Sequence, residues 1–234
     1  MPGERTSLGQ HFFASAELAA RFVDDACVGA RDCVVEFGAG NGGLTEALAR
    51  RAALVLAVEI DPRLAQRLVR RFGQKSNVVV WSDDARDMPL PASGYRVVAN
   101  LPFAITNATM RSLLDDPRGG LRRADLVVQW QVARERVRVQ HTPPTDLLGV
   151  VWAPWWEFER GRRLPARCFT PAPRVDAAVL RIVRRDPPLV PPEQADRFRA
   201  FVRNEFAADS QRARGRTIAE WLRLHSPGQS ANMG

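Results

Sequence analysis

The 234-residue chain has few of the residues that build disulfide frameworks or metal centres. It contains three cysteines and three histidines. The cysteines lack C-x-x-C spacing, and no two histidines lie at the spacing of metal ligands. We therefore expect reduced thiols in a cytoplasmic protein, with no disulfide and no metal. No hydrophobic run approaches the length that crosses a bilayer, and the first residues form no apolar signal segment, so we expect no membrane association.

Lysine is almost absent, because Lys75 is the only one among 34 basic residues. Arginine therefore carries nearly all of the positive charge. A formal charge of +8 favours a polyanionic partner, since clustered cations gain affinity by releasing counterions from phosphates. A GC-rich genome would produce the same arginine bias without any selection for nucleic acid. The positions of the arginines are thus more informative than their number.

Short apolar runs alternate with helical patterns between residues 32 and 183, which predicts an α/β fold built on a parallel sheet. We expect strands at 33–37, 54–59, 78–82, 95–99, 126–130, 152–158 and 177–183. Helices are expected between them at 43–51, 62–72, 106–114 and 132–140. The connection between the last two strands holds no helical pattern, which predicts a final hairpin.

A proline-rich segment at 186–192 is typical of a stiff linker. Beyond it, residues 193–206 form an amphipathic pattern with Phe198, Phe201 and Val202 on one face. A second helix is expected at 217–224. We therefore divide the chain into a first domain at residues 1–186 and a small helical domain with a tail at 187–234.

A glycine-rich loop at 36–43, Glu-Phe-Gly-Ala-Gly-Asn-Gly-Gly, joins the first predicted strand to the first predicted helix. Glycine lets the backbone approach a bound ligand closely, and such loops bind nucleotide cofactors in general. Two features narrow the class of ligand. The glycines follow G-x-G-x-G instead of G-x-G-x-x-G, and Glu36 precedes them, where a carboxylate suits a cationic ligand better than a pyrophosphate.

Acidic residues follow the next two strands. Glu59 lies about 20 residues after the loop, where a carboxylate commonly accepts hydrogen bonds from ribose hydroxyls. Asp84 can accept from an adenine amino group, and Ala85 offers backbone to the ring. Each acid alone could equally be a solvated loop residue or a helix N-cap. Because all these elements meet at the carboxyl edge of the sheet, together they predict S-adenosylmethionine as the ligand.

The tetrapeptide Asn100-Leu101-Pro102-Phe103 follows the apolar run at 95–99. The Asn100 amide oxygen and a neighbouring backbone carbonyl can accept both hydrogens of an exocyclic –NH2 group. Pro102 stiffens the turn, and the Phe103 ring can stack on a base. Alone, the tetrapeptide could be an ordinary strand-ending turn. Beside a predicted S-adenosylmethionine site, it indicates methylation of an amino group.

Together these motifs resemble the ribosomal RNA adenine-N6 methyltransferases, the family of the Erm-type macrolide-resistance enzymes and the dimethyladenosine transferases. The resemblance runs from residue 9 to about residue 183. It adds Gly-Gln-His-Phe-Phe at 9–13 and Phe-Thr-Pro-Ala-Pro-Arg-Val-Asp at 169–176. It implies a Rossmann-like S-adenosylmethionine-dependent methyltransferase sheet at 1–186 and a small helical RNA-binding domain at 187–234, which looks more like that of the Erm branch.

The resemblance implies roles for the motif residues. The Gln10, His11 and Phe13 segment would close over the methionine end of the cofactor. With the loop and the acids, the candidate cofactor contacts are Gln10, His11, Phe13, Glu36, Gly38, Gly40, Glu59, Ile60, Asp84, Ala85 and Asn100. The target amine and base would contact Asn100, Leu101, Pro102, Phe103 and Phe169. His11 replaces a frequent Asn and Phe103 a frequent Tyr, which keeps hydrogen bonding and stacking.

An arginine-rich segment surrounds the predicted base-stacking residue Phe169. Eight arginines and a single acid, Asp176, lie between residues 160 and 185. Cations beside a stacking ring suit a groove that holds a splayed RNA nucleotide, and Arg160, Arg162 and Arg163 are the candidate phosphate contacts. A solvated arginine face arising from codon bias is the alternative. The aromatic residues at 152–158 fit a buried core better than a second stacking platform.

Three functions are compatible with these features. The first is methylation of N6 of an adenine in 23S ribosomal RNA, before or during subunit assembly, which would confer macrolide-type resistance. The second is the same reaction on 16S ribosomal RNA during small-subunit maturation, and the third is a non-catalytic assembly factor that binds ribosomal RNA. Intact Glu59, Asp84 and Asn100 favour an enzyme. We expect a cytoplasmic monomer.

Overall fold

A seven-stranded sheet forms the centre of the computed structural model, which describes residues 10–84, 88–92, 94–138 and 146–225. Its strands are β2 (Cys33–Phe37), β3 (Leu54–Val58), β4 (Val78–Trp81), β5 (Tyr95–Asn100), β6 (Leu121–Gln129), β7 (Trp156–Leu164) and β9 (Ala177–Arg184). Their spatial order is β4-β3-β2-β5-β6-β9-β7. The strands β1 (Phe12–Phe13) and β8 (Phe169–Thr170) pair separately, in antiparallel register.

Nine helices are described around the sheet: α1 (Ala16–Asp25), α2 (Gly43–Ala49), α3 (Pro62–Phe72), α4 (Thr106–Leu114), α5 (Trp130–Arg138), α6 (Leu147–Trp152), α7 (Ala195–Ala208), α8 (Ser210–Arg214) and α9 (Ile218–His225). Short polar side chains begin several of them. Ser15 accepts from Leu18 N at the start of α1, and Asp146 accepts from Gly149 N at the start of α6. Asp61 caps α3, which has Pro62 at its first position.

The central strands are buried on both faces. Val97, Val98 and Ala99 of β5 are each 0% exposed, as expected for a sheet covered by helices on both sides. Alternate side chains separate into two cores: Val97 packs in one and Val98 in the other. The parallel strands therefore end at one edge with their side chains fixed, and that edge carries the predicted site.

The strand predictions hold for most of the sheet, and the hairpin between the last two strands is confirmed, because β7 and β9 pair in antiparallel register. The sheet is not wholly parallel, since β9 also runs antiparallel to β6. The strand predicted at 152–158 is wrong in its first half. Trp152 ends the helix α6, and the strand begins only at Trp156, because a short apolar run fits a buried helix and a buried strand equally well.

The proline segment, predicted to be a stiff linker, is hydrogen-bonded to the turn that precedes β7 and buries Val190. Leu189 N donates to Pro154 O at 2.9 Å, and Trp155 Nε1 donates to Val190 O at 2.7 Å. The side chains of Phe198 and Trp221 are fully buried in the core that also contains β5. The division into domains at residue 186 remains a prediction. Over the described ranges, no helix is both long enough and apolar enough to cross a membrane.

Candidate active site

Two cavities of about 250 and 230 Å³ adjoin at the carboxyl ends of β2, β3 and β5. Gln10 and Gly38 line both of them. The first cavity lies against β1 and the start of α1, with Glu36 and Asn100 in its wall. The second is lined by residues that follow β3, β4 and β5: Glu59, Ile60, Asp83, Asp84, Pro102 and Ile105. The structure thus brings nearly all of the predicted motifs to one cleft.

The glycine loop between β2 and α2 curves around this cleft through left-handed backbone. Gly38, Gly40 and Gly42 have φ angles of 70°, 55° and 79°, a region that other residues rarely adopt. A Cβ atom on Gly40 would lie 2.3 Å from Cε1 of Phe12. Glycine at this position therefore allows both the loop conformation and the close approach of β1.

Glu59 ties the loop to the end of β3. Its side chain is fully buried, with Oε2 accepting from Gly40 N at 2.8 Å and Oε1 from Asp61 N at 2.9 Å. Two backbone donors therefore fix the carboxylate plane, while each oxygen retains a lone pair. Ile60 lines the second cavity as a half-exposed apolar side chain, and Asp84 lines it from beyond β4. Ala85 lies outside the described residues.

Glu36 is a second buried carboxyl group in the wall of the first cavity. Its Oε2 accepts a 2.6 Å hydrogen bond from Thr45 Oγ1, and the residue is only 1% exposed. Burial raises the pKa of Glu36 to about 8. The Thr45 hydrogen bond opposes that rise, and the negative charge of Glu59 adds to it. A nearby cation would instead favour the ionised form.

Asn100 connects the catalytic turn to the segment that precedes β1. Its Nδ2 donates to His11 O at 2.7 Å, which leaves Oδ1 as the accepting end of the amide. After the buried Leu101, Pro102 begins a tight turn in which Ile105 N donates to Pro102 O at 3.1 Å. The half-buried ring of Phe103 lies 5.7 Å from the His11 ring at an angle of 44°.

The segments around β1 and β8 form one layer over the cleft. Phe13 pairs with Phe169 across the two strands, and their rings stack at 5.6 Å. His11 Nδ1 donates to Pro171 O at 2.6 Å. Phe169 is only 3% exposed, so its ring packs on Phe13 and shows no free face. Its base-stacking role remains a prediction that requires the two rings to separate.

Gln10 carries the one unpartnered buried acceptor of this cleft among the described residues. Its side chain is 6% exposed, and Oε1 has no hydrogen-bond partner there. Buried polar atoms in native proteins nearly always have a partner. Because Gln10 lines both cavities, a ligand bound in the cleft could supply the missing donor.

The three candidate RNA-binding arginines lie on β7 and differ in their partners. Arg162 forms two hydrogen bonds with the Asp25 carboxylate, at 2.9 and 3.1 Å. Arg163 contacts Asp176, at 3.0 and 2.7 Å. The guanidinium groups of Arg160 and Arg163 lie 4.7 and 4.9 Å from the Trp130 ring centre.

Trp130 was not among the predicted site residues. The sequence predicts it as the last residue of the strand 126–130, which is wrong for this residue, because β6 ends at Gln129 and Trp130 begins α5 at the carboxyl end of β6. The aromatic residues at 152–158 are core, as expected, because Trp152, Trp155, Trp156 and Phe158 are at most 2% exposed. Over the described ranges, no group of three metal-ligating side chains is present.

Comparison with known proteins gives consistent similarities over the whole chain. A model of the ribosomal RNA adenine dimethylase family matches residues 2–231. An rRNA adenine N-6-methyltransferase of Corynebacterium diphtheriae is 34% identical over 92% of this chain and 80% of its own. The mycinamicin-resistance protein MyrB of Micromonospora griseorubida is 34% identical over 98% of this chain and 70% of its own.

A solved structure agrees with these sequences. The crystal structure of the 23S rRNA methyltransferase ErmE superposes with a TM-score of 0.75 at 28% identity, covering 92% of this chain and 98% of that chain. The fold, the cleft and the sequence similarity agree. The chain belongs to the ribosomal RNA adenine dimethylase family, whose enzymes are S-adenosylmethionine-dependent methyltransferases.

Proposed function

We propose that this chain methylates N6 of a specific adenine in 23S ribosomal RNA, before or during subunit assembly, and that the product confers macrolide-type resistance. The observation that carries the reaction is the Asn100–Phe103 turn, which closes a cleft lined by Glu36 and Glu59. The choice of 23S RNA is supported by the similarity to nearly the whole ErmE chain and to MyrB. We expect a cytoplasmic monomer.

The cleft suits S-adenosylmethionine by the chemistry of its walls. Gln10 Oε1 is a buried acceptor without a described partner, which the amino group of the cofactor could satisfy. Glu36 offers a carboxylate to a cation in the first cavity. Glu59 and Asp84 offer acceptors to ribose and adenine in the second, and Ile60 offers apolar surface. When bound, the cofactor supplies a methyl group that is already activated as a sulfonium.

The catalytic work of the protein is to orient the adenine amine. The N6 lone pair is delocalised into the ring, so the amine is a weak nucleophile. Asn100 Oδ1 and the Leu101 carbonyl would accept its two hydrogens and favour a pyramidal nitrogen with an available lone pair. The hydrogen bond from Asn100 Nδ2 to His11 O directs Oδ1 to this role in advance, which is positional catalysis.

The same two acceptors stabilise the positive charge that develops on nitrogen during transfer. The resulting ammonium is acidic enough to lose its proton to water, so no strong general base is needed. The Phe103 ring can stack on the extruded base, which offsets a few kcal/mol of the cost of unstacking it.

The test uses labelled cofactor with unmodified 23S and 16S transcripts, followed by primer extension. We expect incorporation into 23S RNA and an extension stop at one adenine. A stop in 16S RNA alone would support the small-subunit alternative. Calorimetry with S-adenosylmethionine tests the third function. A protein that binds no cofactor and transfers no label to RNA would be an assembly factor. Expression in a macrolide-sensitive bacterium tests the resistance.

A further inference from the structure

An irregularity in β7 sorts the arginines of this strand onto two faces of the sheet. Arg160 lies opposite Leu180 of β9 and Arg163 lies opposite Ala178, so β7 advances three residues where β9 advances two. This extra residue is a β-bulge, which re-aims side chains. Gly161 lies in the bulge, where a Cβ atom would come within 3.1 Å of Val179 Cβ.

The bulge determines which arginines share a face. In a regular strand, side chains alternate, so residues 160 and 162 would share a face and residue 163 would lie on the other. The structure shows the reverse arrangement. Arg160 and Arg163 both contact Trp130, whereas Arg162 contacts Asp25 of α1.

Trp130 lies at the same edge of the sheet as the catalytic turn. It directly follows β6, whose Val127 is the register partner of Asn100. Its backbone N donates to Asp176 O at 3.0 Å, at the end of the loop that contains β8. The half-buried ring therefore contacts arginines of the edge strand β7, while the backbone of Trp130 is tied to the loop that contains β8.

The three arginines also differ in how far their charge is neutralised. Arg162 is paired with Asp25 and Arg163 with Asp176. Within the described part of the chain, no carboxylate forms an ion pair with the exposed Arg160. Its contact is the Trp130 ring, which holds a guanidinium in place without cancelling its charge.

We infer that Arg160, held by Trp130, binds a phosphate of the RNA strand that flanks the extruded adenine, and that Trp130 is its positioning residue. The inference rests on the proposed function. Stacking on the indole orders the arginine side chain before RNA arrives, which lowers the entropic cost of binding. The planar guanidinium then has its edge free for bidentate contact with phosphate oxygens.

The test compares the full-length variants Arg160→Ala, Trp130→Ala and Trp130→Phe in steady-state methylation of the 23S transcript. We expect both alanine variants to raise KM for RNA about tenfold with kcat changed less than about twofold. Trp130→Phe should restore most of the lost affinity, because phenylalanine keeps an aromatic face for Arg160. The Kd for S-adenosylmethionine should stay at the wild-type value, which also shows that each variant is folded.

Salt dependence separates a phosphate contact from a general loss of charge. The slope of log affinity for RNA against log salt should fall by about 0.7 to 0.9 in Arg160→Ala. Arg67→Ala removes the same charge from the exposed face of α3, near the opposite edge of the sheet, and should leave KM unchanged. Arg162→Ala should raise KM less than Arg160→Ala, because Asp25 already neutralises Arg162.

Three results would overturn the inference. They are a wild-type KM in Arg160→Ala, a change of the salt slope in Arg160→Ala no larger than that in Arg67→Ala, or a Trp130→Ala defect confined to kcat. Failure of the proposed function looks different. In that case the wild-type protein would not methylate the 23S transcript. Filter binding of the 23S and 16S transcripts by the same variants would still decide whether Arg160 and Trp130 contact RNA.

Discussion

At the scale of single residues, the catalytic turn depends on how one amide is oriented. Asn100 donates from Nδ2 to His11 O, so Asn100→Ala removes both the acceptor for the target amine and a tie to the segment before β1. We expect kcat for RNA methylation to fall by about 100-fold to 1,000-fold, as when one preorganised polar group is lost from an active site. Binding of S-adenosylmethionine should remain nearly intact. Single-turnover methylation and calorimetry measure the two quantities separately.

The control for this variant is Leu113→Ala in α4, which removes a buried side chain outside the cleft. It should lower the free energy of unfolding by about 2 to 5 kcal/mol with little change in kcat at a temperature where the protein stays folded. Wild-type turnover in Asn100→Ala would show that the amide does not hold the amine.

Glu36 makes the stability of the protein depend on pH. Its pKa in the folded state is about 8, above the ordinary value of 4.5, so the folded state retains a proton that the unfolded chain releases. The stabilisation is complete below about pH 4.5 and is lost as the pH rises through 8. Between these values, we expect the free energy of unfolding to fall by up to about 1.4 kcal/mol per pH unit from this group.

Glu36→Gln should remove this dependence, since an amide does not titrate. Urea denaturation between pH 5 and pH 8.5 measures the free energy of unfolding of both proteins. As the pH rises, the wild-type value should fall relative to the value for Glu36→Gln. Parallel stability curves for the two proteins would mean that Glu36 is ionised throughout.

Most cleft residues could be predicted because each one lies at or just after the end of an apolar run that predicts a strand of the sheet. Glu59 and Asn100 each come at the end of an apolar run, so parallel pairing brings them to one edge. The contact of Trp130 with Arg160 could not be predicted, because it depends on a bulge that changes the alternation of β7. The burial of Phe169 on Phe13 depends on pairing between segments about 160 residues apart.

At the scale of elements, the glycine loop and β1 constrain each other. Gly40→Ala places a methyl group 2.3 Å from Phe12 and forces alanine into a backbone with φ of 55°. Left-handed strain costs about 1 to 3 kcal/mol, and overpacking adds about 1 to 3 kcal/mol. We expect displacement of β1, a loss of about 2 to 6 kcal/mol in the free energy of unfolding, and at least tenfold weaker binding of S-adenosylmethionine.

The matched control is Gly29→Ala, where the new Cβ would meet only Asp32 Oδ2 at an ordinary 3.8 Å and the backbone is not left-handed. Chemical denaturation and calorimetry should show little change there. Equal effects in the two variants would mean that the loop adapts to a side chain and does not hold β1 in place.

Element boundaries were predictable where a turn residue marks them. Pro62 opens α3 at its first position, and the predicted helix at 62–72 agrees with the structure at both ends. Trp152 had no such marker. The apolar segment from Leu147 contains Gly149 but no proline before Pro154, so it allows either a helix or a strand. Only packing of α6 into the core decides between them.

At the scale of the whole molecule, the C-terminal helices complete the core on one face of the sheet. Phe198 of α7 is fully buried, with its ring edge-on to Trp155 at 5.7 Å and to His225 at 5.1 Å. The proline segment before α7 is itself fixed by the Trp155 hydrogen bond to Val190 O. From these contacts we expect the residues after 186 to fold together with the sheet.

We therefore expect a single unfolding transition for the whole chain. Phe198→Ala should lower the free energy of unfolding by about 3 to 5 kcal/mol and move the complete transition down by about 6 to 20 °C. Leu224→Ala, at a side chain that is 46% exposed, should move it little. Differential scanning calorimetry, together with tryptophan fluorescence, measures the transition. Two separate transitions, with only the smaller one moved by Phe198→Ala, would show instead that the C-terminal helices fold as an independent domain. The Trp155–Phe198 contact would then be an interface between domains and not part of one core.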